Sequence, residues 1–349
     1  MKCRICNINE ANQTGAHIFP AWMISSSFDE KSRNRDNEII YNISPFSYNI
    51  PFFGRSVSPD KVKGELGREL SDEEIKNQTN ILVVNNLWCR DCEKKIKVAE
   101  DYFLSNIENQ TEDFSKEEEI KIKKFGNVNT QLLRLFFYSL IIRAHIARLG
   151  GVILNKKAET KIIRYFNKYL KLTLDETLNA LANFPDKSQI LSFPIRCIKT
   201  EKMENSTRAG VYIHHKYNKP YCFIINRYIM QFYCKGSSFN FSPNSFFGIC
   251  DLISRQPNFL NYKKDIFYIG LMNLDTWKRF LKNIVDYHGK FKIEYLISLY
   301  RKIYLNQFKV YPTKVLITKF LNALVNNDTS LGVKYTPEKI LEAMNKSIN

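Results

Sequence analysis

Four cysteines stand in two C-x-x-C pairs, Cys3-Arg4-Ile5-Cys6 and Cys89-Arg90-Asp91-Cys92. Two residues between thiols let a tight turn aim both sulfurs at one ion, and two such turns complete a closed tetrahedral site. A redox dithiol of the thioredoxin kind would carry one such motif inside a βαβ pattern. The chain therefore reads as holding structural Zn2+ on Cys3, Cys6, Cys89 and Cys92. Cys197, Cys222, Cys234 and Cys250 lie in apolar, strand-like runs without close pairing and read as buried free thiols.

For one ion to take all four sulfurs, an N-terminal knuckle must fold back onto the junction that precedes residue 89. Between the pairs lies Gly15-Ala16-His17-Ile18-Phe19-Pro20-Ala21-Trp22, a short β-like run that carries one histidine and ends at a proline. After the second pair, residues 93–100 read as a helix starting at the metal. Glu93 and Glu100 are seven residues apart, two helical turns, so both carboxylates lie on one face. Acids there also suit the opening turns of a helix, where they balance its dipole.

The order C-x-x-C, a run ending in H-I-x-P, then N-L-x-C-x-x-C and a polar helix resembles the HNH endonuclease superfamily with its zinc-stabilised treble-clef, or ββα-metal, core. The similarity covers Met1 to Phe103. In detail the chain is similar to an atypical bacterial subgroup with A-H-I-x-P or S-H-I-x-P and C-x-x-C-E followed by a later glutamate. The apolar run Leu135 to Ala144, with Arg143 near its end, belongs to the same similarity. The resemblance implies that His17 is the general base that activates water for attack on a phosphodiester, and that Asn86, or Asn85 beside it, orients the base. It implies a divalent cation, Mg2+ or Mn2+, on Glu93. Glu100 then serves as a second carboxylate, because Ala16 stands where the superfamily has a metal ligand. DNA is the implied substrate, and antiphage defence in bacteria the implied setting. The alternative is a non-catalytic, zinc-stabilised module that binds nucleic acid or protein, in which Ala16 records lost chemistry and His17 only packs beside the metal-bound turn.

Charge points the same way. Lysine and arginine total 52 against 35 acids, a net charge of +17, and such a field attracts phosphate backbones whatever their sequence. The lysine-rich usage of an AT-rich genome supplies part of that charge. Hydrophobic residues at 44% and charged residues at 25% exclude a disordered, collagenous or coiled-coil chain. No apolar run reaches the roughly 18 residues of a membrane-spanning helix. Met1 to Ile8 is too polar for a secretory signal, so a cytoplasmic protein with no membrane partner is expected. Glycine-rich phosphate loops and a G-x-S-x-G elbow are missing, which disfavours nucleotide hydrolysis and serine esterase chemistry.

The expected fold is α+β: a zinc-bound, HNH-like domain over 1–108 with an inserted loop at 25–80, joined to a helical and antiparallel-sheet domain over 109–349. The insertion, rich in proline and glycine, reads as loops with short strands, and its Lys31, Arg33 and Arg35 read first as a solvated loop and second as the lining of a nucleic-acid groove. Ser115 with Glu118 reads as a capping box for a helix starting at Lys116. Apolar spacing predicts a core helix over 130–149, stopped at Gly150-Gly151, with His145 structural, and further helices over 156–171 and 174–184. Strands are expected at 190–198, 210–215, 221–225, 228–233 and 266–271, with a hairpin turn at 216–220. Neighbouring strand residues face opposite sides, so His214 and His215 cannot share an ion. Amphipathic helices are expected at 276–287, 293–304 and 337–345, to cover the sheet or to meet a protein partner or a second copy of the chain.

Overall fold

In the computed structural model the described residues are 1–25, 39–40, 52–54, 56–77, 80–110, 113–183, 193–201, 211–218, 220–234, 246–247, 249, 260–261, 266–326 and 337–348. Lys31, Arg33, Arg35, Cys250 and the side chains of His214 and His215 lie outside them. In chain order the elements begin with β1 (Ala16–His17), α1 (Ala21–Ser25), β2 (Ile39–Ile40), β3 (Phe52–Phe53), α2 (Pro59–Leu66), α3 (Asp72–Asn77), β4 (Val83–Val84) and α4 (Arg90–Phe103). A turn of π-helix, Leu104–Glu108, extends α4. Then come β5 (Ile120–Phe125), α5 (Thr130–Ile146), α6 (Lys156–Tyr169) and α7 (Leu174–Ala182). Strands β6 (Ile195–Thr200), β7 (Val211–Asn218), β8 (Tyr221–Ile225), β9 (Tyr228–Phe232) and β10 (Phe267–Met272) are next, and the chain closes on α8 (Leu274–Phe308), α9 (Lys314–Asn326) and α10 (Pro337–Ile348).

By compactness the chain divides into Met1–Arg33 with Asn80–Phe280, and Asn34–Thr79 with Leu281–Asn349. The sequence boundary at 108/109 falls inside the first of these. In that first unit six strands form one sheet in the order β5-β10-β6-β9-β8-β7. All neighbours run antiparallel except β10 and β6, which are parallel. Strands β6, β8, β9 and β10 are buried along their whole length; β8 and β10 are continuous apolar runs, whereas the buried Arg196 and Lys199 of β6 are paired with Gln231 and Glu108. Helix α5 is apolar nearly all round and packs in this core: Phe137 stacks on Phe267, and Tyr138 sets its ring edge-on to Phe232 while its hydroxyl donates to the Phe193 carbonyl at 3.0 Å. Phe103, at the end of α4, stacks on Phe136 with centroids 4.3 Å apart and meets Tyr228 edge-on. Helix α4 is thereby fixed to both α5 and the sheet.

Three expectations about local structure are corrected. Ser115 does accept hydrogen bonds from the Glu117 and Glu118 amides, at 3.2 and 3.0 Å, but no helix starts there. The alternation Ile120-Lys121-Ile122-Lys123 that comes next has strand period, and β5 pairs with β10 along six residues. The described part of the insertion holds two short helices besides the β2–β3 ribbon. Two of its turn formers bound a helix: Pro59 opens α2, and Gly67 closes it at φ 70, a left-handed conformation natural to glycine. The two helices expected at 276–287 and 293–304 are one, α8, because a lone Gly289 costs only about 1 kcal/mol in a helix interior. In the second unit α8, α9 and α10 close a core of Leu296, Tyr300, Ile317, Phe320, Leu324, Ala343 and Met344.

Candidate functional site

The N-terminal knuckle folds back on residues 86–89 through main-chain bonds. Arg4 donates to the Leu87 carbonyl at 3.0 Å, Gln13 to Trp88 at 3.1 Å, and Asn86 to Gln13 at 2.7 Å. Asn7, at φ 57, makes the turn that lets its amide reach the Cys3 carbonyl. Cys89 is the N-cap of α4 and Cys92 lies in the first turn, so the helix start carries one sulfur pair and the knuckle the other. Trp88, just before Cys89, is fully buried.

The four sulfurs converge. Cys3 and Cys92 Sγ lie 3.7 Å apart, Cys6 and Cys89 Sγ 3.9 Å, and all four fall within 4.8 Å of one another. A tetrahedral zinc with bonds of about 2.3 Å requires sulfurs about 3.8 Å apart, so the donor set suits a metal ion such as zinc. The thiols alone sit uneasily together. The Cys3 thiol, hydrogen-bonded by Cys92 and by main-chain amides against the cost of burial, is pulled down to about 4. Cys92 is pushed up by that same bond to Cys3 and by burial, and Cys89 by burial. One negative sulfur discourages the next, and a bound cation removes that conflict. Asn9 Nδ2 adds an outer contact, 3.8 Å from Cys89 Sγ and 3.1 Å from Asp91 Oδ2.

Beside this cluster, β1 pairs antiparallel with β4, Ala16 opposite Val84 and His17 opposite Val83. Asn85 Oδ1 accepts from the Gly15 amide at 2.7 Å, tying down the residue before the strand. Asn86 works through its backbone, bent to φ 57 so that its amide reaches Gln13. The two asparagines thus close the same end of the ribbon that carries His17, just before β1 and just after β4.

The helix carboxylates and the histidine strand meet at a residue whose role no spacing announces, Arg143 of α5. Its Nη1 donates to the His17 carbonyl at 3.0 Å, and its Nη2 is bonded to Glu100 Oε1. Glu93 Oε1 stands 3.9 Å from Nη1, while the buried Glu93 Oε2 makes no hydrogen bond. The Arg143 side chain is 1% exposed, Glu100 13% and Glu93 27%. Burial pushes the Glu100 carboxyl above the usual carboxylate range; the Arg143 guanidinium opposes this and the charge of Glu93 adds to it. Ala16, 3% exposed, has no donor to offer. Among the described residues, the four cysteines are the only group of three or more histidines, cysteines or acids whose ligand atoms gather closely enough for a metal. His145 is structural as expected: its Nδ1 accepts from the Leu154 amide at 3.1 Å.

A second charged cluster lies at the far end of the same helix. Glu108, on the π-turn, is bonded to Lys199 Nζ at 2.8 Å, to Arg227 Nη2 at 2.6 Å and to the Tyr228 hydroxyl. Burial alone would raise the Glu108 carboxyl, but Lys199 and Arg227 outweigh it and hold it below the usual range. Lys199 and Arg227 belong to the sheet and its β8–β9 turn, so this cluster fastens α4 to the strands. No sequence signal joins these residues, which come from segments far apart in the chain. Among the described residues, no helix is long and apolar enough to cross a membrane. Compared with known proteins, the chain matches no family model, no curated protein and no solved structure.

Proposed function

We propose that this chain is a nuclease of HNH character that hydrolyses phosphodiester bonds, with DNA as its first substrate. His17 is the general base, Asn86 the residue that orients it, and Zn2+ on Cys3, Cys6, Cys89 and Cys92 the structural ion of a treble-clef. One observation carries this reading: the His17 strand and the acidic face of α4 meet at a single guanidinium, within a ribbon and helix whose junctions hold four convergent sulfurs. The net charge of +17 supports a polyanionic substrate. In the reaction His17 takes a proton from water as the water attacks phosphorus, the bond from phosphorus to the 3′ oxygen breaks, and the leaving oxygen takes a proton from solvent. A Mg2+ or Mn2+ ion held by Glu93 and Glu100 is the metal-dependent form of this chemistry; in the present geometry the cation those carboxylates face is Arg143.

Supercoiled plasmid incubated with the zinc-loaded protein, with and without Mg2+ or Mn2+, tests the reading. Nicking or linearisation is expected, falling by about a hundredfold or more in His17→Ala at unchanged zinc content. Binding without cutting under every condition would favour the second reading, a non-catalytic module for nucleic acid or protein, which Ala16 and the paired state of Glu100 support. A protein partner or a second copy would then meet the C-terminal helical unit, where Val310, Tyr311 and Val315 are exposed.

A further inference from the structure

The carboxylates that a divalent cation would need already have a cation. We infer that Arg143 is the resident positive charge of this site, and that Glu93 and Glu100 bind its guanidinium in place of Mg2+ or Mn2+.

A buried arginine is costly. A guanidinium carried on a largely apolar helix and 1% exposed is tolerated only with compensating charge and hydrogen bonds. Helix α4 supplies these: Glu93 and Glu100, two turns apart, bracket the guanidinium, and the His17 carbonyl takes a third position around it. The guanidinium thus stands between the main chain of the histidine strand and the helix carboxylates.

A hard divalent cation would need several oxygen donors at 2.0–2.6 Å or so. Ala16 contributes none, and Glu100 Oε1 is committed to Arg143. Glu93 Oε1 faces the guanidinium at 3.9 Å, and the buried Glu93 Oε2 has no hydrogen bond. A metal drawn to it would sit close to a guanidinium that cannot deprotonate. Like charges in a poorly solvated site repel strongly, so guanidinium and metal compete. Buried as it is, Arg143 acts as a positioning residue: it sets the field and holds the main chain of the residue bearing the base, and does not itself reach the phosphate.

What the carboxylates bind is independent of catalysis; that cutting needs no added metal holds only if the nuclease reading does. The test is Mn2+ titration of the zinc-loaded full chain, monitored by electron paramagnetic resonance. Wild type is expected to show no stoichiometric Mn2+ site. Arg143→Met, which leaves the carboxylates without their cation, should gain Mn2+ affinity by roughly tenfold to a thousandfold. Arg143→Lys, which keeps the charge, should stay as refractory as wild type, and that rescue separates charge from packing. Should Arg143→Met lose its zinc or its fold, wild type decides alone, with Glu93→Gln and Glu100→Gln as controls. A stoichiometric Mn2+ site in wild type that either glutamine variant abolishes would overturn the inference. In the plasmid assay, cutting within about twofold of full rate without added Mg2+ or Mn2+ supports it. Cutting that strictly requires the metal and is lost in Glu93→Gln sinks it while upholding the nuclease. If nothing is cut under any condition, the nuclease reading fails and the Mn2+ titration still decides the role of Arg143.

Discussion

The two ends of helix α4 solve the problem of buried charge in opposite ratios. Near its start two carboxylates, Glu93 and Glu100, share one guanidinium, Arg143. On the π-turn that continues it one carboxylate, Glu108, is shared by two cations, Lys199 and Arg227, and by the Tyr228 hydroxyl. The first end has an excess of negative charge and a buried carboxylate oxygen, Glu93 Oε2, without a hydrogen bond; the second is over-neutralised, with both Glu108 oxygens engaged. The Glu100 carboxyl is accordingly raised by burial, whereas that of Glu108 is held down by its cations. A fully satisfied cluster specifies structure, and a half-satisfied one is where proteins keep chemistry. The far end anchors the helix, and the near end binds the guanidinium that also holds the His17 carbonyl.

This division of labour is most vulnerable at the sulfurs, because they fix where the near end begins. Cys92→Ser, or removal of the metal by a strong chelator, should cost most of a binding free energy that reaches ~10 kcal/mol or more in small zinc domains. The knuckle should then leave α4 while the sheet, anchored at Glu108, persists. Hydrogen exchange measures this: protection lost over residues 1–20 and 81–95 with the β6–β10 amides still slow is the expected pattern. Uniform loss would mean that the two ends of α4 are not separately secured.

Next in size is the anchor itself. Glu108→Gln leaves Lys199 and Arg227 buried without a counter-charge and should destabilise the protein by about 3–5 kcal/mol. Glu100→Gln keeps an acceptor for Arg143 and should cost about 1–3 kcal/mol. Their pH dependences run in opposite directions. Glu108, with a folded-state pKa below its ordinary 4.5, contributes stability that is present above pH 4.5 and lost as pH falls through the depressed value. Glu100, with a raised pKa, holds its proton more tightly in the folded state, so its carboxyl favours folding at low pH and this advantage fades as pH rises through the raised value. Urea unfolding at pH 7 and at pH 5 should therefore find the Glu100→Gln penalty growing towards acid and the Glu108→Gln penalty unchanged. Equal slopes would erase the distinction between the two ends.

Much of this arrangement is legible in the sequence. Paired C-x-x-C motifs announce their own convergence, since two residues of spacing leave the sulfurs little else to do, and the strands from Ile195 to Met272 declare themselves by β-branched and aromatic runs between turn formers. The ribbon carrying His17 arises from the same pairing, because closing the cysteines forces the residues just inside them together. Arg143 is a different matter. The spacing of Glu93 and Glu100 gives their common face but not what stands opposite, and an arginine in an apolar helix reads equally as a phosphate grip or a salt bridge. Its partners are 43 and 50 residues away, and only the packing of α5 on α4 selects them. The Glu108 cluster is still less legible, being assembled from a π-turn, a strand and a hairpin turn. The misread Ser115 shows the reverse failure: a local motif is satisfied as a turn, and pairing with β10 makes the next segment a strand.

The most delicate test of the near end lies at the metal itself. Asn9 donates towards Cys89 Sγ and also to Asp91 Oδ2, which ties the knuckle to the first turn of α4 by a side chain that is not a ligand. A donor to a thiolate stabilises the deprotonated sulfur that a metal requires and orients it. Asn9→Ala should weaken zinc by about tenfold, the low end of what outer-sphere partners contribute, because the contact to the sulfur is long and only part-buried. Competition with a chromophoric chelator measures that change, and the same variant should leave the urea midpoint of the Glu108-anchored sheet untouched. If it lowers both together, the start of α4 and its far end form one cooperative unit, and the separation of roles along the helix is wrong.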